Sequence, residues 1–329
     1  MTPPTLRVLH LSDTTLSGSP IRIAKLLTQQ SSRGSSVGVQ ACHIVWDATS
    51  GYRTFETDLV GSSMSDDELR TWLAWPDIIH YHNRYARQQI FKKLGISPPK
   101  KPSVIQMHSD RHSGLDNFEA EAKSGVPIAV IAQYHTRQWP EATYLVPNVV
   151  DINAPEYQRE PVPLRTIPVV SYAPSNWTCK GFDDKGYGVV MPILKRMKFN
   201  SEIYLQLIVS KPHDEVMLLK RGADIGIDEI VTGSYHLSSL EFLAMGVPCF
   251  ANLDEDTAKT VKQVTGCAGK LPWLKANPAT FKRELEKIIR DKSWQELGEQ
   301  SRRWMERYWA PDVLVRHYED MYLDILGGS

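Results

Sequence analysis

The run Asp228-Glu229-Ile230-Val231-Thr232-Gly233-Ser234-Tyr235-His236-Leu237-Ser238-Ser239-Leu240-Glu241-Phe242-Leu243-Ala244-Met245-Gly246-Val247-Pro248 decides how this chain folds. Read along its length, it is a strand over Glu229 to Thr232, a loop of small residues, and a short helix capped by Ser238 or Ser239 with Glu241 in its first turn. Gly246 stops the helix and Pro248 opens the next strand. Strand, loop and capped helix in that order form the repeating unit of a parallel α/β sheet. Such a helix start offers backbone N–H groups and the positive end of the dipole to an anion; without a ligand, Glu241 simply complements that dipole.

The same alternation of short apolar runs and amphipathic stretches extends through both halves of the chain. In the first half it predicts strands over Leu6 to Leu11, Val39 to Val45, Asp77 to Tyr81, Ser103 to Met107, Pro127 to Ala132 and Tyr144 to Val146. Helices are expected over Ile21 to Gln30, Ser65 to Ala74 and Ala86 to Leu94. Pro155, Pro161 and Pro163 lie among charged residues between Asp151 and Thr166, the composition of a hinge. Beyond it the pattern predicts strands over Pro168 to Tyr172, Ile203 to Val209, Glu229 to Thr232 and Pro248 to Ala251. Helices fit Val189 to Met197, His213 to Arg221, Ser238 to Met245, Ala279 to Asp291, Trp294 to Tyr308 and Asp312 to Leu326.

With 329 residues the chain exceeds what one hydrophobic core usually supports, so two domains are expected. Apolar residues at 42% and charged residues at 23% are ordinary for a folded globular chain. The 38 basic residues balance the 38 acidic ones, which excludes a global field that draws the protein to nucleic acid or an anionic membrane. No apolar stretch reaches the roughly 18 residues that span a bilayer, and the start lacks a signal-peptide pattern, so a cytoplasmic location is expected. Cys42, Cys179, Cys249 and Cys267 are scattered, in neither a zinc nor a disulfide spacing.

Several loops carry chemistry. Ser12 to Pro20, with Gly18, leads into a helix bearing Arg22 and Lys25, but it lacks the dinucleotide glycine fingerprint. The strand over Asp77 to Tyr81 carries His80 and runs into His82 and Asn83, with the two histidines on one face, and the next strand ends in His108-Ser109-Asp110. Two successive strands ending in histidines point to a polar site. A metal there would need a third histidine or a carboxylate that spacing does not supply. After the hinge, Ser175 to Gly181 places Lys180 where it can reach a phosphate. Six basic residues (Arg84, Arg87, Lys92, Lys93, Lys100, Lys101) and no acidic one lie between Ile78 and Ser109, a solvated face or a site for an anionic acceptor.

Ser239 to Pro248 resembles the "LEAMAxGxPV" signature of GT-B glycosyltransferases, glycosyltransferase family 4 in particular. Other segments fall in the family's order: Asp77 to His82 is similar to "DVVHxH", His108 to Asp110 to its histidine loop, Val146 to Asp151 to "IPNGVD", and Lys180-Gly181 to "KG". The resemblance implies an α/β GT-B fold, with two Rossmann-like domains facing each other across a cleft: residues 1–155 on the acceptor side, 156–310 on the donor side, and a last helix in 311–329 returning to the first domain. It implies a retaining, metal-independent hexosyltransferase with no cofactor beyond a nucleotide-diphosphate sugar co-substrate, a UDP-sugar foremost.

By the same resemblance Glu241 binds the donor ribose, while Lys180 and the amides around Ser239 and Leu240 hold the diphosphate. His108 sits beside the transferred sugar, and the Gly18 loop closes over the phosphates, with Arg22 helping. Ser175, Gly233, Tyr235, His236 and Ser238 complete the donor side; His80, His82, Asn83, Arg84 and Asp110 stand on the acceptor side. The acceptor is open between a modified nucleic acid, a phospholipid carrier and a glycan. Two positions depart from the family. Gly233 stands where a sugar-binding glutamate is usual, leaving Asp228 or Glu229 as substitutes, and the arginine preceding the "KG" lysine is absent. The alternatives are a non-catalytic sugar-nucleotide binder and a sugar-nucleotide 2-epimerase.

Overall fold

The computed structural model describes residues 5–31, 37–49, 55, 57–111, 117–160, 163–174 and 185–327. It divides into two compact units, Met1–Val149 with Pro311–Ser329, and Val150–Ala310.

The first unit is built on β1 (Thr5–Ser12), β2 (Gly38–Val45), β3 (Leu59–Val60), β4 (Ile78–His82), β5 (Ser103–Met107), β6 (Ile128–Ile131) and β7 (Tyr144–Val146), in the order β3-β2-β1-β4-β5-β6-β7. Every described pairing is parallel. Connecting helices are α1 (Ser19–Ser31), α2 (Asp66–Ala74), α3 (Gln89–Leu94), α4 (Glu119–Ala122) and α5 (His135–Gln138). Ser65 caps α2 in a full capping box with Glu68, which fixes where that helix starts. Strands β4 and β5 are buried at every residue, as central parallel strands covered on both faces must be. On one face Leu9, Leu11, Ile79, Tyr81, Ile105 and Met107 join an apolar cluster. Alternation puts His10, His80, His82, Gln106 and His108 on the other.

The second unit carries β8 (Val169–Tyr172), β9 (Tyr204–Leu207), β10 (Ile225–Glu229) and β11 (Cys249–Ala251), in the parallel order β11-β10-β8-β9. Its helices are α6 (Tyr187–Phe199), α7 (His213–Arg221), α8 (Leu237–Ala244), α9 (Glu255–Thr265), α10 (Phe281–Asp291) and α11 (Trp294–Tyr308). The last helix, α12 (Pro311–Gly327), belongs to the first unit, where Tyr318 and Tyr322 pack against His80.

Three expectations change. The strand placed at Glu229 to Thr232 runs instead from Ile225 to Glu229. Gly226 hid it from a propensity reading, yet a Cβ there would stand 2.7 Å from the Phe242 ring, so only glycine lets α8 lie this close. Neither Ser238 nor Ser239 caps α8; His236 occupies the cap position without a side-chain hydrogen bond. The segment expected as a hinge is anchored to the second unit. Tyr157 is buried, Arg221 donates to the Glu156 carbonyl, and Arg159 donates to that of Ala223.

Candidate functional site

In the second unit, β9 lies to one side of β8 and β10 to the other, so the sheet order reverses between β8 and β10, the place where open α/β sheets bind ligands at the strands' carboxyl ends. The loop from β10 into α8 leaves from that edge. Glu241, one turn into α8, is 5% exposed, and its carboxylate is held by a lysine that the sequence pattern did not single out. Lys220 donates to Glu241 Oε2 at 2.5 Å and to Ser238 Oγ at 2.8 Å, and the His213 ring lies 3.4 Å from Oε1. Lys220 is itself only 2% exposed. A buried ion pair of this kind is orientation rather than surplus stability, because desolvation offsets most of the attraction.

The loop before α8 is wrapped around Glu229, whose carboxylate accepts from the backbone N–H groups of Val231, Thr232 and Ser234 and from the Thr232 hydroxyl. Gly233 follows with φ +79°, and a Cβ there would fall 2.5 Å from Asp254 Oδ2. A glutamate at this position would strain the backbone and have to displace the Asp254 side chain. Neither upstream carboxylate replaces it. Glu229 is buried inside its loop, and Asp228, fully buried, accepts from Lys185 Nζ at 2.7 Å and from the His236 backbone N–H at 2.6 Å. Burial alone would raise the Asp228 carboxyl, but Lys185 and His236 overcome it and hold the group far below the usual carboxylate range.

Tyr235 is also moved from the expected ligand shell. It has no exposed surface and packs on Trp273 at 4.7 Å, because an aromatic ring here completes the core beneath α8. Ser239 turns inward too: its hydroxyl donates to the His236 carbonyl and accepts from Trp273, and its N–H donates to that same carbonyl. Leu240 is buried, whereas His236 keeps a ring one-third exposed. Ser175 and Lys180 lie outside the described residues. The stretch that resumes after them is fixed, since Lys185 pairs with Asp228 and its carbonyl accepts from the Tyr172 hydroxyl.

In the first unit the order reverses between β1 and β4, and register sets His43, His10 and His80 side by side across β2, β1 and β4. His10 is the third histidine that spacing could not supply. Nitrogens of His10, His80 and His82 all lie within 4.8 Å of one another. The His10 and His82 rings nevertheless meet end to end, with nitrogens 3.0 Å apart and planes within 19°, as a hydrogen-bonded pair does; a cation would have to separate them. Burial lowers His43 and His80 to about 3 and pushes His10, His82 and His108 well below their usual value, so all five are neutral at pH 7.

Asn83, in the left-handed region at φ +64°, accepts from the His108 backbone N–H at 2.7 Å and donates to Ser109 Oγ at 2.9 Å, which fixes the loop that presents His108. Asn83→Ala should therefore cost about 1–3 kcal/mol and loosen that loop, measurable by denaturant unfolding and by exchange of the His108 amide. Asp110 is within reach of Gln138 and Tyr134. Leu16, Ser17 and Gly18 all have positive φ, a strained run at the carboxyl end of β1 with Arg22 half-buried just beyond it.

No protein-family model and no curated protein matches the sequence. Solved structures do. An O-GlcNAc transferase from Thermobaculum terrenum aligns over 99% of this chain and 69% of its own, at 14% identity and a TM-score of 0.58. An alpha-glucosyltransferase in complex with UDP and a 13-mer DNA aligns over 97% and 99%, at 11% identity and 0.61. HepE of Anabaena, in complex with UDP-glucose, aligns over 98% and 100%, at 12% identity and 0.59. The chain has the GT-B glycosyltransferase fold.

Within this GT-B fold the sequence pointed to Glu241, His80, His82 and His108 but missed Lys220, His10 and Tyr322. A signal for Lys220 existed. It lies three residues after buried Met217, on the apolar stripe of α7, where an unpaired lysine would not be tolerated.

Proposed function

We propose that the chain is a glycosyltransferase whose second unit holds a nucleotide-diphosphate sugar. Glu241 carries the reading. Lys220 and His213 orient its carboxylate one turn into α8, where by the family resemblance it meets the paired hydroxyls of a ribose. The diphosphate would lie at the start of α8, met by the amides of Leu237 and Ser238 and, by resemblance, by Lys180. As the bond from the sugar's anomeric carbon to phosphate breaks, its electron pair goes to the departing diphosphate, and a cation with a helix N-terminus stabilises that growing charge more than the ground state.

A UDP-sugar is the favoured donor, since the alpha-glucosyltransferase and HepE hold UDP and UDP-glucose. Hexosyl transfer with retention follows the family-4 resemblance, in which His108 serves the sugar. An anionic acceptor draws little support from the basic run. Arg84 pairs with Asp13 and Arg87 with Glu121, while Lys93 and Lys101 donate to the carbonyls of Met64, Ala74 and Pro76.

Thermal melts with UDP-, GDP- and ADP-sugars test the reading. At about 100 times its dissociation constant the true donor should add about 2.7 kcal/mol, an increment absent in Glu241→Ala. If no sugar nucleotide raises the melting temperature, the proposal is wrong. Binding without release of nucleotide under any acceptor would leave the non-catalytic binder.

A further inference from the structure

We propose that His108, His82, His10, Tyr322 and His80 form one continuous hydrogen-bonded chain whose four rings share one tautomer, so that the ring nitrogen His108 offers to a substrate hydroxyl is set from the buried end. The chain deepens the glycosyltransferase reading and rests on it only for the identity of that hydroxyl. His108 Nε2 lies 2.8 Å from His82 Nδ1, and His82 Nε2 lies 3.0 Å from His10 Nδ1. His10 Nε2 reaches the Tyr322 hydroxyl at 3.5 Å, the longest link, and that hydroxyl lies 2.8 Å from His80 Nδ1. Each connecting ring uses each nitrogen once. The four inner side chains are buried and His108 is half-buried, so the chain is open to solvent at one end.

A neutral imidazole has one N–H and one lone pair, so the donor chosen at any one link fixes the donor at all of them. Neutrality follows from burial, which lowers every one of these histidines. If Tyr322 donates to His80, it accepts from His10 Nε2–H, His82 Nε2–H donates to His10 and His108 Nε2–H donates to His82, so all four rings carry the proton on Nε2. If His80 donates to Tyr322, every donor reverses and all four rings carry it on Nδ1. His82, His10 and Tyr322 are thus positioning residues for His108.

Long-range proton–nitrogen spectra of the full chain with nitrogen-15 histidine, near neutral pH, read each ring's tautomer directly. The expected result is one and the same form, Nε2–H or Nδ1–H, at His10, His80, His82 and His108. A mixture of tautomers among the four rings overturns the proposal. The readout needs no turnover, so loss of the glycosyltransferase reading would leave the tautomer result standing, and the reverse.

Discussion

Acidification from about pH 7 to about pH 5 is expected to lower the stability of the first unit by about 4 kcal/mol or more, a large part of what holds a domain of its size together. The cause is the row of neutral histidines across β2, β1 and β4. Burial holds His43 and His80 at about 3, below the ordinary value near 6.5 that they regain on unfolding. A folded value below the unfolded one means that stability is fully present above about pH 6.5 and is lost as the pH falls toward the folded values. Each such histidine removes about 1.4 kcal/mol per pH unit in that window, and two of them account for about 4 kcal/mol at pH 5. His10, His82 and His108 shift the same way and steepen the loss. Calorimetric melts across this range should show the midpoint dropping as protons are taken up on unfolding. A midpoint that stays level from pH 7 to pH 5 would mean that these rings are not buried neutral.

Lys220→Met is expected to destabilise the second unit strongly. It leaves the Glu241 carboxylate, with a side chain only 6% exposed, without its cation, and stranding one half of a buried pair costs about 3–5 kcal/mol. For a unit of this size that corresponds to a fall of roughly 10 °C in melting temperature. Donor binding should disappear in the same variant, because the carboxylate loses the group that orients it. Lys220→Met with Glu241→Gln should recover much of the stability and none of the binding. Equal damage in the single and double variants would show that Lys220 matters for packing alone.

The fold was legible because parallel α/β units announce themselves locally. Each strand is a short apolar run, and each helix repeats at its own period, so β5, β7, α7 and α11 fall at the positions their residues predict. Where the reading slipped, tertiary contact had overridden local preference: Gly226 sits inside β10 because Phe242 lies on it, and Thr232 leaves the strand because its amide and hydroxyl turn to Glu229. The sites divide in the same way. His80 and His82 alternate along β4 and His108 follows β5, so they are visible from spacing. Their partners come from far along the chain, His10 from 72 residues before His82 and Tyr322 from 242 residues after His80, and no local pattern links residues so distant. Gly233 was visible as a departure, but its reason was not, since the side chain it would clash with is that of Asp254, which lies beyond α8 in the sequence.

Co-crystallisation with UDP tests the central claim most directly. The two ribose hydroxyls should bind the Glu241 carboxylate while Lys220 stays in place behind it, with the diphosphate against the first turn of α8. Density for UDP anywhere else in the second unit, or a Glu241 side chain that the nucleotide does not touch, would contradict it.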